Sequence, residues 1–483
     1  MSVLFCSCVS YNARMNTYYN QLEQKQYSKA LRTLDKTKFI QKDRNKLLFY
    51  FEKGKTYHLM QEYDSSNVYF NLADNFIDTR KKNIGDVIKA NLINPMMQIY
   101  LGEDMERFMM HYYKGLNYLY IHQPSEALVE ARRITLAENI QSDKFKNKNN
   151  RYSKDAFALN VQGMLYEANG DINNAFIAYR NAVDVYLNAK GEYYGVQLPK
   201  QLQQDVLRTA NQMGFYDQQQ YYENIFKTTL QQENSEGGYL ILFLEQGAAP
   251  IKSEKSFYIT KGIGGINSFY FYDENGYQTN VPFDFADYTY INMNDANLAK
   301  LRTFHVAIPY YQIRYSNTYN FTIATNNITY STELAQNINS LAVNILKERM
   351  FTEIANALAR QIVKKLAEKA VEASAEEIYK SSTKNKTDST KTEQEKKKEE
   401  DKKNEKAKNV GELTGLIANI INTATEKADT RNWQSLPAFI HYVRIPLKAG
   451  ENTITISGKN NATTTITIQG NGKLQFLDKS FLK

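Results

Sequence analysis

Val161 to Ala182 reads VQGMLYEANGDINNAFIAYRNA. Gly163, Tyr166, Ala175, Tyr179 and Ala182 fall at the spacing of a helix–turn–helix repeat. The small residues Gly163 and Ala175 let two helices cross closely, and Tyr166 and Tyr179 fill the groove beside them on the same helix faces. Asn169-Gly170-Asp171 supplies the turn. Glycine tolerates the left-handed conformation that ends the first helix, and Asp171 is placed to cap the second.

The pattern recurs. Gly54, Tyr57, Ser66, Phe70 and Ala73 repeat the offsets, and Gly115, Tyr118, Ala127 and Ala131 repeat most of them, with Pro124 at the turn. A weaker unit lies around Tyr27, Ala30 and Leu34, and a half-formed one between Val206 and Phe226. This is tetratricopeptide-type spacing, and stacked units of that kind present a curved surface that holds other proteins. The units are not in strict tandem, because another helical stretch, Val87 to Tyr100, separates two of them. The expectation is an irregular helical array over residues 16–230.

After Gly237 the period changes to alternation, with strands expected at Tyr239–Leu244, Phe257–Thr260, Ser268–Tyr272, Tyr288–Met293, Thr303–Ile308 and Tyr319–Ala324. Leu334 to Ile378 carries an apolar stripe, Leu334, Ile338, Leu341 and Ile345, and reads as a long amphipathic helix with basic outer faces. Such a face either lies on anionic lipid or is the solvated side of a docked helix. Residues 381–409 are Lys, Glu, Asp, Ser and Thr with almost nothing apolar, a composition that cannot offset chain ordering and reads as a disordered loop. Residues 410–483 return to a helix and four strands, at Ala438–Leu447, Asn452–Ser457, Thr463–Ile468 and Lys473–Leu477, which should pair with the strands of 237–380. The predicted class is α+β: a helical array, then a mostly antiparallel β domain with packed long helices.

A chain of 483 residues exceeds the usual single-core size. Its 60 Lys and Arg against 52 Asp and Glu give +8, and much of the lysine sits in the low-complexity tract, so no nucleic-acid groove is implied. The 36 tyrosines either pack in repeat grooves or line contact surfaces. The two cysteines, Cys6 and Cys8, stand in Leu4-Phe5-Cys6-Ser7-Cys8-Val9. An apolar residue at minus three and a small one at minus one match a bacterial lipoprotein cleavage site, with Cys8 as the lipidated residue. The apolar run ahead of it is too short for a signal and carries no Lys or Arg, so residues 1–8 read either as a truncated lipoprotein signal or as a chance match.

Three motifs resemble a family of Gram-negative envelope lipoproteins that carry tetratricopeptide-like repeats. They are Gly237-Gly238-Tyr239-Leu240 with Glu245 to Lys252, His305 to Tyr310, and Ala424 to Pro437 with Arg444-Ile445-Pro446-Leu447 and Gly450. The resemblance covers most of the chain and implies an outer-membrane, periplasm-facing location. It transfers no activity to any residue. Within the third motif Asp429, Arg431 and Trp433 form a polar and aromatic knot that reads either as a helix end docking the C-terminal helix on the β domain or as a binding pocket.

The five histidines, His58, His111, His122, His305 and His441, lack metal-ligand spacing, and there is no nucleophile elbow or P-loop. No enzyme, metal or cofactor is expected. The functional expectation is a lipid-anchored periplasmic scaffold that binds protein partners through its repeats, in envelope or cell-wall assembly. The alternative is a peptidoglycan- or carbohydrate-binding module whose tyrosines stack on sugar rings.

Overall fold

The computed structural model describes residues 10–81, 95–144, 152–231, 235–261, 269–272, 303–350, 353, 427–459 and 463–482. Among the described residues, ten helices of the N-terminal half pack as successive antiparallel hairpins. They are α1 (Tyr11–Glu23), α2 (Tyr27–Lys36), α3 (Lys46–Leu59), α4 (Tyr63–Lys81), α5 (Glu106–Tyr120), α6 (Pro124–Lys144), α7 (Ala156–Ala168), α8 (Ile172–Asn188), α9 (Lys200–Gln212) and α10 (Tyr216–Phe226). At the α7–α8 turn Gly170 takes φ +78°, and Asp171 accepts from the Asn174 amide at 3.1 Å. The 95–100 segment is a short 3-10 turn, Pro95–Met97, followed by irregular chain, where the sequence reads as helical. Its tyrosine, Tyr100, is buried against Glu106.

The repeat glycines are set by close helix crossing. A Cβ on Gly54 would stand 2.6 Å from the Phe70 ring, and one on Gly163 would press deeper still into Tyr179. The α3–α4 unit is closed further by Ser66, whose hydroxyl donates to the Gly54 carbonyl at 2.7 Å. In the middle unit the position of the ring is Ala131, and Leu165 of the next unit fills the space over Gly115.

The strands form two main sheets. One has the order β13-β3-β10-β9, from Lys473–Phe481, Gly238–Gln246, Phe439–Pro446 and Glu333–Asn337. The other has the order β12-β11-β7-β8, from Thr463–Gly470, Gly450–Ser457, Thr322–Thr325 and Ile328–Ser331. A third, β5-β4-β6, joins Phe269–Tyr272, Ile251–Lys261 and Thr303–Gln312, and a two-residue pair, β1 (Glu192–Tyr193) with β2 (Val196–Gln197), follows α8. Among the described residues, all pairings are antiparallel except β13 with β3, which is parallel.

The first sheet is the middle of three layers. Leu240, Leu242, Leu244, Val443 and Ile445 face the second sheet and share a core with Phe321, Ile323, Ile454 and Ile456. The alternate residues Ile241, Phe243, Ile440 and Tyr442 belong to the core of the helical array. Burial on both faces is why β3 reads GYLILFLEQ, a continuous apolar run in place of alternation.

One expectation is corrected by this architecture. Leu334 does not begin a helix: it lies in β9, opposite His441 of β10, and the helix starts at 338, where Asn337 accepts from the Ser340 amide at 3.0 Å and caps it. The expected strand at 288–293, the loop at 381–409 and the helix after residue 410 lie outside the described residues, as does most of the chain from 351 to 378.

Candidate functional site

The inner face of the helical array is filled by the chain's own sheet. Lys55 of α3 bonds Glu245 of β3 at 2.6 Å, with both side chains almost fully excluded from solvent. The same carboxylate accepts from the Tyr113 hydroxyl of α5 and the Ser480 hydroxyl of β13, each at 2.6 Å. One turn on, His58 Nε2 meets Asp478 of β13 at 3.1 Å, and Tyr120 donates to the other Asp478 oxygen at 2.7 Å. Burial pushes the Asp478 carboxyl up, but His58, Lys55 and the Tyr120 hydroxyl outweigh it and hold the group well below the usual carboxylate range. Further along, Arg444 of β10 reaches Glu167 of α7 at 2.6 Å and Asp205 of α9 at 3.2 Å. Between these polar anchors Phe243 meets Tyr112 and Phe157 edge-on. His58 thus spans the two components, its Nε2 meeting Asp478 of β13 and its Nδ1 meeting Asn117 Oδ1 of α5 at 2.6 Å.

The knot residues lie in irregular chain, and the helix expected just before them lies outside the described residues. Asp429 accepts from the Arg431 amide and from its guanidinium at 2.8 and 2.7 Å. The remaining guanidinium hydrogens go to the Arg44, Gln98 and Pro95 carbonyls and to Asn45 Oδ1. Burial lifts the Asp429 carboxyl and the Arg431 charge lowers it by more, so the pair stays ionised. Trp433 stacks on Phe51 at 4.4 Å, and its amide donates to Glu106 at 2.6 Å. The segment thus joins the helical array, through α3, α5 and the turn before α5, to the start of β10. Both Arg431 and Trp433 are buried, so neither offers an open pocket.

Two carboxyls hold this segment in unusual states. Glu106 is pushed up to about 8 by burial and by nearby Glu103, against hydrogen bonds from Trp433 and Tyr100. Burial raises Glu52 to about 7, against hydrogen bonds from Ser435, Tyr19, Tyr18 and the Gln434 amide.

One cluster has the residue types of a metal site. Ligand atoms of Asp74, His111 and Glu130 lie within 4.8 Å of one another. Lys114 Nζ sits between the two carboxylates, 3.2 Å from Asp74 and 2.9 Å from Glu130, and Arg133 bonds Asp74 at 3.0 Å. The negative charge is already matched, and a divalent cation would have to displace a buried ammonium.

The repeat signature residues are structural: Phe70, Ala73, Ala127, Ala175, Tyr179 and Ala182 are buried, while Tyr57, Tyr118 and Tyr166 are partly covered. Tyr57 stacks on Tyr69. Sequence reasoning missed a different row. Val68, Val129 and Ile177 each stand fourteen positions after their unit's glycine, on α4, α6 and α8, and are 56%, 40% and 37% exposed. The shared offset from Gly54, Gly115 and Gly163 was available in the sequence, because a buried signature implies an exposed position on the opposite face of the same helix. Cys8 lies outside the described residues. No described helix is long and apolar enough to cross a membrane.

No family model matches the chain, and a search of curated proteins found no match. Among solved structures, BtubC (BKLC) from P. vanneervenii is similar at 12% identity and a TM-score of 0.32, over 45% of this chain and 78% of that one. MamA is similar at 13% identity and a TM-score of 0.26, over 44% of this chain and 91% of that one. No functional statement follows from likeness at this level.

Proposed function

We propose that the protein is a non-enzymatic scaffold that holds a protein partner on the outer face of its helical array. The observation that carries this is the row Val68, Val129 and Ile177: three β-branched apolar side chains, exposed at one repeat position on three second helices. Exposed apolar side chains scattered singly are ordinary, but a periodic row left uncovered by the described residues is the pattern of a contact surface. The inner face is already occupied by β3, β10 and β13, so the outer face is what the array has left to offer.

The proposal includes a lipid anchor at Cys8 in the cell envelope, on the strength of the cleavage-site pattern and the family resemblance. Labelling cells with a radioactive fatty acid tests the anchor: incorporation lost in Cys8→Ala supports it, and label retained in that variant, or absent from the parent, refutes it. Crosslinking from intact cells tests the row. Val68→Glu, Val129→Glu and Ile177→Glu together should abolish capture of the partner seen with the parent chain. Each change should cost no more than about 0.5 kcal/mol of stability, because the sites are exposed. Undiminished capture by the triple variant would refute the outer-face assignment.

A further inference from the structure

The second sheet ends in an open strand. β12 pairs with β11 through consecutive positions from Thr463 to Gly470 without a bulge, and among the described residues no strand pairs with its other side. Thr463, Thr464, Thr465, Thr467 and Gln469 are all exposed. The outer amides and carbonyls of such a strand are a template for one more strand.

Sheets normally blunt their edges, and two other edges of this molecule do so. β8 is only four residues long and follows directly on a left-handed turn at Asn326 and Asn327. β13 carries Lys473, Asp478 and Lys479. β12 reads TTTITIQG, full length, with no charge and no proline. The core also runs out beneath it. Ile454 and Ile456 of β11 point inward and are fully buried. Ile466, which stands opposite Ile454, and Ile468 point the same way from β12 but are only partly buried. A strand added on the open side would bring side chains against both.

We propose that β12 pairs antiparallel with β12 of a second copy of this chain, about a two-fold axis perpendicular to the sheet. Such an axis keeps inward residues opposite inward ones, so the pairing centres on a residue and not between two. Centred on Thr467, it sets Ile466 opposite Ile468 of the second copy and Ile468 opposite its Ile466. On the outward side Thr467 meets its own counterpart and Thr465 meets Gln469, so no like charges face each other. A two-fold contact requires this self-complementarity, and an uncharged strand offers nothing that would select a charged segment of another protein. At one end the Gln475 amide donates to the Gln469 carbonyl at 2.8 Å, a single contact that the pairing has to accommodate. The register joins residues 464–470 of each copy, far fewer than the ~20–30 residues a side of a standard interface, so the pair is weak and reversible. The surface is separate from the outer row, which lies on the helical array.

Sedimentation velocity of the full chain tests this. The monomer should convert to a dimer as its concentration rises toward about 0.5 mM, the range expected of so small a contact. Thr467→Lys and Thr467→Glu, both at an exposed site, each set like charges opposite one another and should each weaken the dimer about fivefold, while an equimolar mixture of the two should restore it. In a chain that also carries Cys6→Ser and Cys8→Ser, Thr467→Cys should be joined to a second copy by a short bismaleimide, and Thr453→Cys, one strand further in, should not. A monomer throughout the range, association undiminished in both charge variants, no recovery on mixing, or growth past a dimer would overturn the proposal. So would β12 amides already protected from hydrogen exchange in the dilute monomer, because the edge would then be covered within one chain. Crosslinking of Thr467→Cys in intact cells to a different protein alone would overturn it as well. The triple outer-row variant should self-associate as the parent does, so failure of this pairing and failure of the scaffold reading are told apart.

Discussion

The seating of the sheet inside the array is tested most directly at Lys55 and Glu245. Lys55→Met removes the ammonium and keeps the stem. Glu245 then retains two of its three donors, Tyr113 and Ser480, in a site where it is 1% exposed. Breaking a buried pair from one side costs about 3–5 kcal/mol because the surviving charge is left uncompensated. The two remaining hydroxyl donors place this case at the low end, about 3 kcal/mol, more than a hundredfold in the unfolding equilibrium. Glu245→Gln should be milder, about 2 kcal/mol, since the stranded Lys55 ammonium still lies 3.9 Å from the centre of the Tyr113 ring. The double variant removes both charges and leaves an amide whose oxygen accepts from the Tyr113 hydroxyl and whose NH2 donates to the Ser480 hydroxyl. It should cost no more than about 2 kcal/mol, giving a coupling energy of about 3 kcal/mol.

Urea denaturation of the full chain reads these values from the midpoint at constant slope. Array and sheet share one core, so the parent should unfold in a single transition. Hydrogen exchange adds a local readout: amides of β3 and β13 should open earlier in Lys55→Met than in the parent, while those of α1 and α2 should not. A loss below about 1 kcal/mol in Lys55→Met, together with a coupling energy below about 0.5 kcal/mol, would refute the reasoning.

The same logic yields three further expectations. Gly163→Ala should destabilise by about 1–3 kcal/mol, although alanine is the better helix former by about 1 kcal/mol, because its methyl would overlap the Tyr179 ring; thermal melts check this, and Tyr179→Leu in the same chain should recover part of the loss. Arg431→Lys should cost about 2–4 kcal/mol by denaturant titration, since a lysine has three donors and cannot replace a fork that serves Asp429, three carbonyls and Asn45; a loss under about 0.5 kcal/mol would contradict the assigned bonds. Stability should also fall on the alkaline side: Glu106 and Glu52 have raised folded-state values, about 8 and about 7, so their contribution is full below about pH 4.5 and is lost as pH rises through 7 to 8. Asp429, Glu103 and Asp478, held low, act oppositely and lose their contribution as pH falls through the acid range, so melting should peak near pH 5–6; a melting temperature flat from pH 6 to 9, or a slope unchanged in Glu106→Gln, would contradict this.

What was legible in the sequence was local. Gly170-Asp171 announces a turn because glycine alone takes that φ cheaply and aspartate caps the next helix. Gly163 and Tyr179 announce their own contact because a hairpin brings those offsets together whatever surrounds it. Most of the β-strands were legible by alternation or by apolar runs. Leu334 misled because Leu334, Ile338, Leu341 and Ile345 keep a helical period straight through a change of structure. The unpaired edge of β10 recruits the first residues as a strand, and Asn337 then opens the helix. The anchors of the inner face were not legible at all. Lys55 and Glu245 are 190 residues apart, and His58 and Asp478 are 420 apart. Nothing in the spacing of a lone lysine and a lone glutamate says they will meet.

These long-range pairs constrain how the molecule can hold anything. A partner that entered the inner face would have to expel the sheet, and with it the Lys55–Glu245, His58–Asp478 and Arg444–Glu167 contacts, all largely buried. At about 3 kcal/mol for the first contact alone, opening would weaken such a partner by more than a hundredfold before any new contact formed. Surfaces that are reached without opening carry no such penalty. The outer row is of that kind. A partner bound there meets a prearranged surface, and the C-terminal sheet acts on the array as a brace that fixes the relative positions of the repeats.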